Sequence, residues 1–405
     1  MGGWTGPLGN SAAIPYNCEA PVSVQPVRGR FLPQHLFDVW AVIRFRATFA
    51  TGAACVLTSL LSACSRGGDS DGGSLAVARE TEANENSLTN LGQLTFTGQN
   101  AEAYFSSDGT RLIFQRTGDA ESCDQQYTIN VDGSGMQRVS NGLGRTTCGY
   151  YYQRDERILY SSTFQAGEAC PTPPDFSQGY VWPLSDFDVY TALPNGDDLQ
   201  RLTTEPGYDA EATLSPNGET IVFTSMRDGD LDIYSMNVDG SNVQRLTNRL
   251  GYDGGPFFSS DGSKIVYRAW YPTTSAEEAD YTRLLSQKLV RPRQMEIWVM
   301  NADGSGERQV THLGGANFAP FFHPDGNRII FASNHHVIEA DPRSRNFDLL
   351  LVDLDGQHLR QITYSDAFDG FPMFSPDGTK LAFASNRYAS VEGETNIFVA
   401  DWVED

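Results

Sequence analysis

The sequence predicts an all-β fold, a six-bladed β-propeller of four-stranded antiparallel blades, on three observations. A turn followed by an apolar strand recurs six times beyond residue 91, and a second hairpin follows each copy. The last copy lacks its outer strand, while a matching strand sits ahead of the first. The recurring turns are Ser107-Asp108-Gly109, Pro216-Asn217-Gly218, Ser260-Asp261-Gly262, Pro324-Asp325-Gly326 and Pro376-Asp377-Gly378, with a degraded copy at Asp155-Glu156-Arg157. Asp-Gly and Asn-Gly supply the positive φ of a tight hairpin. Runs such as Ile221-Val222-Phe223 and Ile265-Val266-Tyr267 then supply the β-branched and aromatic residues of a buried strand. The second hairpins turn at Asp239-Gly240, Asp303-Gly304 and Asp355-Gly356. The final repeat stops after its third strand at Trp402, and Leu91-Gly92-Gln93-Leu94-Thr95 has the character of the missing fourth. Pairing the two closes the ring with an N-terminal strand and hides a sheet edge.

Composition narrows the function. Of 405 residues, 51 are acidic and 29 basic, a net charge of -22 that repels nucleic-acid phosphates. No apolar run reaches the ~18 residues of a membrane span, and six Cys are too few to replace a core with disulfides. Residues 1–43 are Gly- and Pro-rich without periodicity and read as an overextended or disordered extension. Residues 44–64 follow a signal-peptide plan: Arg44 and Arg46, an apolar run from Ala47 to Leu61, then Ser62-Ala63-Cys64. Leu61-Ser62-Ala63-Cys64 resembles the bacterial lipobox, which implies acylation at Cys64. Residues 65–88 read as a Gly/Ser/Asp tether, and residues 89–405 as the propeller. Gly68-Asp69-Ser70-Asp71-Gly72 matches the G-x-S-x-G elbow in letters, but no strand and helix flank it, so it is read as accidental.

In such a blade the first-to-second and third-to-fourth turns share one face, and the other connections share the opposite face. The Asp-Gly turns are uniformly short, whereas the opposite face carries two long inserts, and long loops on a rigid scaffold are where binding concentrates. Blade two inserts residues 165–186 with Trp182; blade four inserts residues 270–295 with Trp270, Tyr271, Tyr281 and Arg291, and a short amphipathic helix around residues 276–285. The plain alternative is that both inserts cap the channel and pack on each other. First strands beginning near Asn100, Thr147, Asp209, Asp253, Asn317 and Asp369, with Glu102 and Glu211 two residues further in, suggest a ring of acceptors at the channel mouth. That ring could hold a cation or a ligand ammonium; each residue could equally cap its own loop. Arg227, Arg268 and Arg387 end second strands on this face, where Asp232 or Glu296 could pair with them.

Cys123, Cys148 and Cys170 fall on the same face, so a disulfide is expected, Cys148–Cys170 first and Cys123–Cys148 second. His335 and His336 with His312 permit a loose metal site of lyase type, and Asp228-Gly229-Asp230-Leu231-Asp232 mimics the start of a calcium loop without its distal Glu. No metal or cofactor is expected from these spacings.

Ser375-Pro376-Asp377-Gly378 in full, with Ser215-Pro216-Asn217-Gly218 and His323-Pro324-Asp325-Gly326 at single changes, resembles the repeat of the TolB-like propellers over about residues 91–405. The resemblance implies a non-catalytic, monomeric, periplasmic binding or scaffold propeller. It would be lipid-anchored, with the outer membrane favoured, and would engage a protein or envelope partner through the long-loop face. Similar repeats occur in polysaccharide lyases and in the lid propellers of hydrolases, so a lyase-type enzyme or a propeller serving a separate hydrolase is one alternative. A small-molecule or peptide sensor in the channel mouth is another.

Overall fold

The computed structural model describes residues 76–404 apart from 119, 120, 293, 342 and 343. The expected signal segment, the lipidation site Cys64 and residues 65–75 of the expected tether lie outside the described residues. Six antiparallel sheets succeed one another along the chain. Blade one comprises Gln99–Phe105, Arg111–Thr117, Gln125–Asn130 and Gln137–Arg138; blade two Thr146–Tyr152, Arg157–Ser162, Asp188–Ala192 and Gln200–Arg201. Blade three comprises Asp209–Leu214, Thr220–Ser225, Asp232–Asn237 and Gln244–Arg245; blade four Tyr252–Phe258, Lys264–Trp270, Glu296–Asn301 and Arg308–Gln309. Blade five comprises Asn317–Phe322, Arg328–Ser333, Asp348–Asp353 and Arg360–Gln361; blade six Asp369–Phe374, Lys380–Ser385, Asn396–Trp402 and, from the other end of the chain, Leu88–Gln93.

The closure foreseen from Leu91–Thr95 is present: Leu88 pairs with Trp402 and Gln93 with Phe398. A hydroxyl just past each outer strand shows that this strand occupies a true blade position. Ser140, Thr203, Thr247, Thr311 and Thr363 accept from the third-strand amides of Gln126, Val189, Ile233, Ile297 and Leu349 at 2.9–3.0 Å. In blade six the N-terminal Thr95 does the same for Ile397 at 2.9 Å. Residues 76–88, assigned to the tether by composition, belong with the propeller. Val77–Ala78 forms a fifth strand against Gly92 and Gln93. The buried Glu85 accepts from Arg387 at 3.0 and 3.2 Å, and Arg387 also donates to Asp369 at 2.6 Å.

Every inner strand breaks register once, between Ala101 and Tyr104, Thr147 and Tyr150, Ala210 and Thr213, Gly254 and Phe257, Phe318 and Phe321, and Gly370 and Met373. A bulge adds one residue and turns its side chain out of the normal alternation. Six bulges at one level therefore build a tier of side chains around the axis. The expected helix in blade four is Ser275–Leu285, started by a capping box between Thr274 and Glu277.

Candidate functional site

The acceptors expected to ring the channel mouth are buried and spent on their own blade or the preceding one. Asn100 donates to the Thr97 and Thr395 carbonyls at 2.9 and 2.7 Å and accepts from Arg116. Asp209 pairs with Arg227 at 3.0 Å, Asp369 with Arg387 at 2.6 Å, and Asn317 donates to the Met295 carbonyl and accepts from Ser333. In blade four Tyr271 stands where blades three and six carry Arg227 and Arg387. It donates to Asp253 at 2.6 Å, and burial without a cation holds the Asp253 carboxyl well above the usual range. The loop-capping alternative describes these five residues. Arg227 and Arg387 find Asp209 and Asp369 rather than Asp232 or Glu296.

The bulge tier lies two residues further in. It comprises Glu102, Cys148, Glu211, Gly255, Ala319 and Phe371, all left-handed with φ of 50–61°. Gly255 is required because a Cβ there would lie 2.0 Å from Nη1 of Arg268. Through that space Arg268 reaches Glu211, bonds the Tyr252 hydroxyl at 2.6 Å, and stacks over Trp182 and Tyr252. Glu102 is buried, and its Oε2 has no hydrogen-bond partner among the described residues. Burial pushes its carboxyl up to about 7 despite a hydrogen bond with Cys148. Burial and the two glutamates push the Cys148 thiol up as well. The voids beside these groups hold about 20 and 40 Å³, room for single waters.

The disulfide joins Cys123 to Cys170 and corrects both expected pairings. Cys148 sits on an inner-strand bulge beside Glu102, buried and reduced, so it serves neither partner. The bond staples the blade-two insert to blade one.

The two inserts form one lid. Trp182–Pro183 pairs with Leu289–Val290, and Trp182, Leu184, Tyr252, Tyr281, Leu285 and Val290 share a core beneath it. Tyr281 donates to Asp230 at 2.5 Å, so the calcium-loop mimic is a lid anchor, with Asp232 paired to Arg245 and Asp228 accepting from Tyr234. Trp182, Tyr271 and Tyr281 are therefore buried in or under the lid, not offered to a partner. Trp270 and Arg291 remain half-buried beside a groove of about 380 Å³ along the helix. His335 binds the Leu313 carbonyl and His336 binds Asp348 at 2.9 Å. Among the described residues no group of three or more His, Cys, Asp or Glu is placed to hold a metal ion.

The open cavity lies at the other end. All six Asp-Gly-side turns surround a funnel of about 780 Å³, with Phe105, Tyr150, Phe258, Phe321, Met373 and Phe374 on its walls and Ser and Asn at its rim. Its floor is the tier two residues beyond the bulges, of which Tyr150, Phe321 and Met373 line the funnel while Tyr104, Thr213 and Phe257 line the void on the polar side. Ring centroids 5.3–6.3 Å apart link Tyr104, Tyr150, Phe257 and Phe321. The floor separates the funnel from the polar tier. Sequence reasoning set this face aside because its turns are short; the apolar residue at each inner-strand end was the available signal.

Residues 184–277 match the PD40 family, the TolB beta propeller domain. An uncharacterised protein of Agrobacterium fabrum is 32% identical over 107 residues, covering 25% of this chain and 35% of its own length. A TolB homolog of Chlorobium luteolum is 29% identical over 140 residues, covering 26% and 31%. The chain thus spans about a third of the length of these curated relatives. Among solved structures, a TolB-type protein from Agrobacterium tumefaciens aligns at 18% identity and TM-score 0.48, covering 76% of this chain and 91% of that one. An oligogalacturonate lyase in complex with manganese aligns at 15% and 0.48, covering 82% and 98%.

Blade clamps and a charged ring predict different mutational costs. Asp369→Asn takes from the buried Arg387 one of its two carboxylates, leaving Glu85, and is expected to cost about 2–3 kcal/mol, whereas Asp253→Asn, replacing a neutral acid, should cost under about 1 kcal/mol. Urea titrations of the two variants at pH 7 measure the difference. Glu102 has a folded pKa near 7 against 4.5 for the ordinary group, so its contribution is complete below pH 4.5 and lost as pH rises through 7. Glu102→Gln removes that loss, and its stability relative to the parent should rise between pH 4.5 and 8; a difference independent of pH would contradict the neutral acid.

Proposed function

We propose that this chain, a TolB-like six-bladed propeller, is a non-catalytic periplasmic binding protein that holds a protein partner through the funnel on its turn face. The observation that carries this reading is the contrast between the two ends of the ring. The long-loop end is roofed by paired inserts with an apolar core, and the other end opens into an aromatic cavity of about 780 Å³ reached from all six blades. That volume lies within the ~300–1,000 Å³ typical of built ligand sites. An apolar wall with a hydroxyl and amide rim suits bulky side chains of a partner segment. The long-loop docking surface expected from loop lengths gives way to the opposite face, because the inserts spend their aromatics on each other.

The Cys123–Cys170 bond supports an oxidising compartment. Acylation at Cys64 would tether the propeller to a membrane, the outer membrane by the lipobox resemblance.

Capture of partners from detergent-solubilised envelopes tests the face. Ser260→Trp places an indole at the funnel rim, and Trp270→Ala alters the lid groove. The proposal expects Ser260→Trp to abolish retention of whatever the parent retains specifically, and Trp270→Ala to leave it unchanged. The reverse pattern would return function to the long-loop face.

A further inference from the structure

We infer that a groove on the flank between blades three and four binds an alkylammonium group, the end of an aliphatic amine or of a lysine side chain. Ser215, Asn217 and Phe258 line both this groove and the funnel, yet nothing need enter the funnel for the groove to be filled. Blade three breaks the repeat here at one position. The second strand opens on a basic residue in the other five blades, Arg111, Arg157, Lys264, Arg328 and Lys380, and on Thr220 in blade three.

The neighbouring blades show what the basic side chain does. In blade four Lys264 stands opposite Asn301, with its Nζ 3.5 Å from Asn301 Oδ1. In blade six Lys380 stands opposite Asp401 and pairs with it, and in blade two Arg157 donates to Asp198 at 2.7 Å. Blade three keeps the acceptor and lacks the cation. Thr220 stands opposite Asn237, whose Nδ2 donates to the Ser241 hydroxyl at 2.9 Å just as Asn301 donates to Ser305 at 3.0 Å. The shared bond sets both amides the same way round. Asn237 Oδ1 is thus offered where Asn301 Oδ1 meets an ammonium, and none of the described residues donates to it.

The short side chain of Thr220 leaves a groove of about 360 Å³. Met236 and Phe258 give it apolar surface for an alkyl stem, while Thr220, Asn237, Gln244 and Asp261 give it acceptors. Its lining includes no Lys or Arg, and Asp261 is its one charged member. Hydrogen bonds from the Ser259 hydroxyl and from the amide and hydroxyl of Ser263 hold the Asp261 carboxyl down at about 2, so it is ionised. No described Lys, Arg or His pairs with it. An ammonium has three donors and no acceptor, which complements a carboxylate among free carbonyl oxygens.

Ligand-observed NMR titration of the intact protein tests this with pentane-1,5-diamine, Nα-acetyl-lysine methylamide and, as the uncharged counterpart, pentane-1,5-diol. The diamine should bind about tenfold or more tightly than the diol. Binding of the lysine derivative as well would extend the site to a lysine of a polypeptide, and binding of the diamine alone would restrict it to free amines. Thr220→Lys supplies the ammonium from this chain and should abolish diamine binding. It should also raise Tm above that of Thr220→Met, which fills the same space without charge, and added salt should narrow that gap. Failure of both amines to bind, equal binding of diamine and diol, or diamine binding undiminished in Thr220→Lys would overturn the inference. So would equal Tm for the two Thr220 variants.

Discussion

The propeller depends on one non-local interaction, the seating of the N-terminal strand Leu88–Gln93 in the outer position of blade six. A six-bladed ring assembled from one end of the chain would leave the last blade three-stranded, with an unpaired edge in solvent. Drawing the fourth strand from ahead of blade one brings the two ends of the propeller together in the sheet of blade six. The join is made twice over. Thr95 reproduces the hydroxyl-to-amide bond found in the other five blades, and Glu85 completes a buried site in which Arg387 meets two carboxylates. Taking those charges out of water costs several kcal/mol that only full pairing offsets, so a loosely seated strand is disfavoured.

A closed ring makes its two ends independent of each other and of the blade ladders. One end has been filled: two inserts more than a hundred residues apart pair edge to edge, share an apolar core and are stapled to blade one through Cys170. The other end keeps short turns, and the apolar ends of the inner strands line a blind funnel. Between them the bulges turn Glu102, Cys148 and Glu211 inward, and Gly255 admits Arg268 to neutralise one of the two acids. The interior is thus polar at one level and aromatic at the next. The voids found at the polar level among the described residues, about 20 and 40 Å³, are of a size for single waters.

The hairpins, the blade count and the closing strand were legible because each rests on local chemistry: Asp-Gly for the turns, β-branched runs for the strands, and a missing strand matched by a spare one. The loop inserts were legible as inserts, but their use was not. Pairing of Trp182 with Val290 depends on two loops meeting in space, which neither loop encodes alone. The acceptor ring misled for a related reason. Asp209 and Asp369 stand just before a bulge, and the bulge decides which neighbour faces the axis, so the ring moved two residues along to Glu102 and Glu211, both already singled out. The cysteine pairing failed because three thiols on one face leave the choice to backbone distances.

Native-state hydrogen exchange at the amides of Leu94 and Ile397 tests the closure most directly. These amides bond the Ile397 carbonyl at 2.8 Å and the Thr95 hydroxyl at 2.9 Å, so both report only on the join. If the ring is closed as described, they exchange only through global unfolding, at the same free energy as interior amides such as Phe223 and Phe331. Exchange at the rate of exposed turns, with the six blade cores still protected, would mean that the N-terminal strand is not what closes the ring.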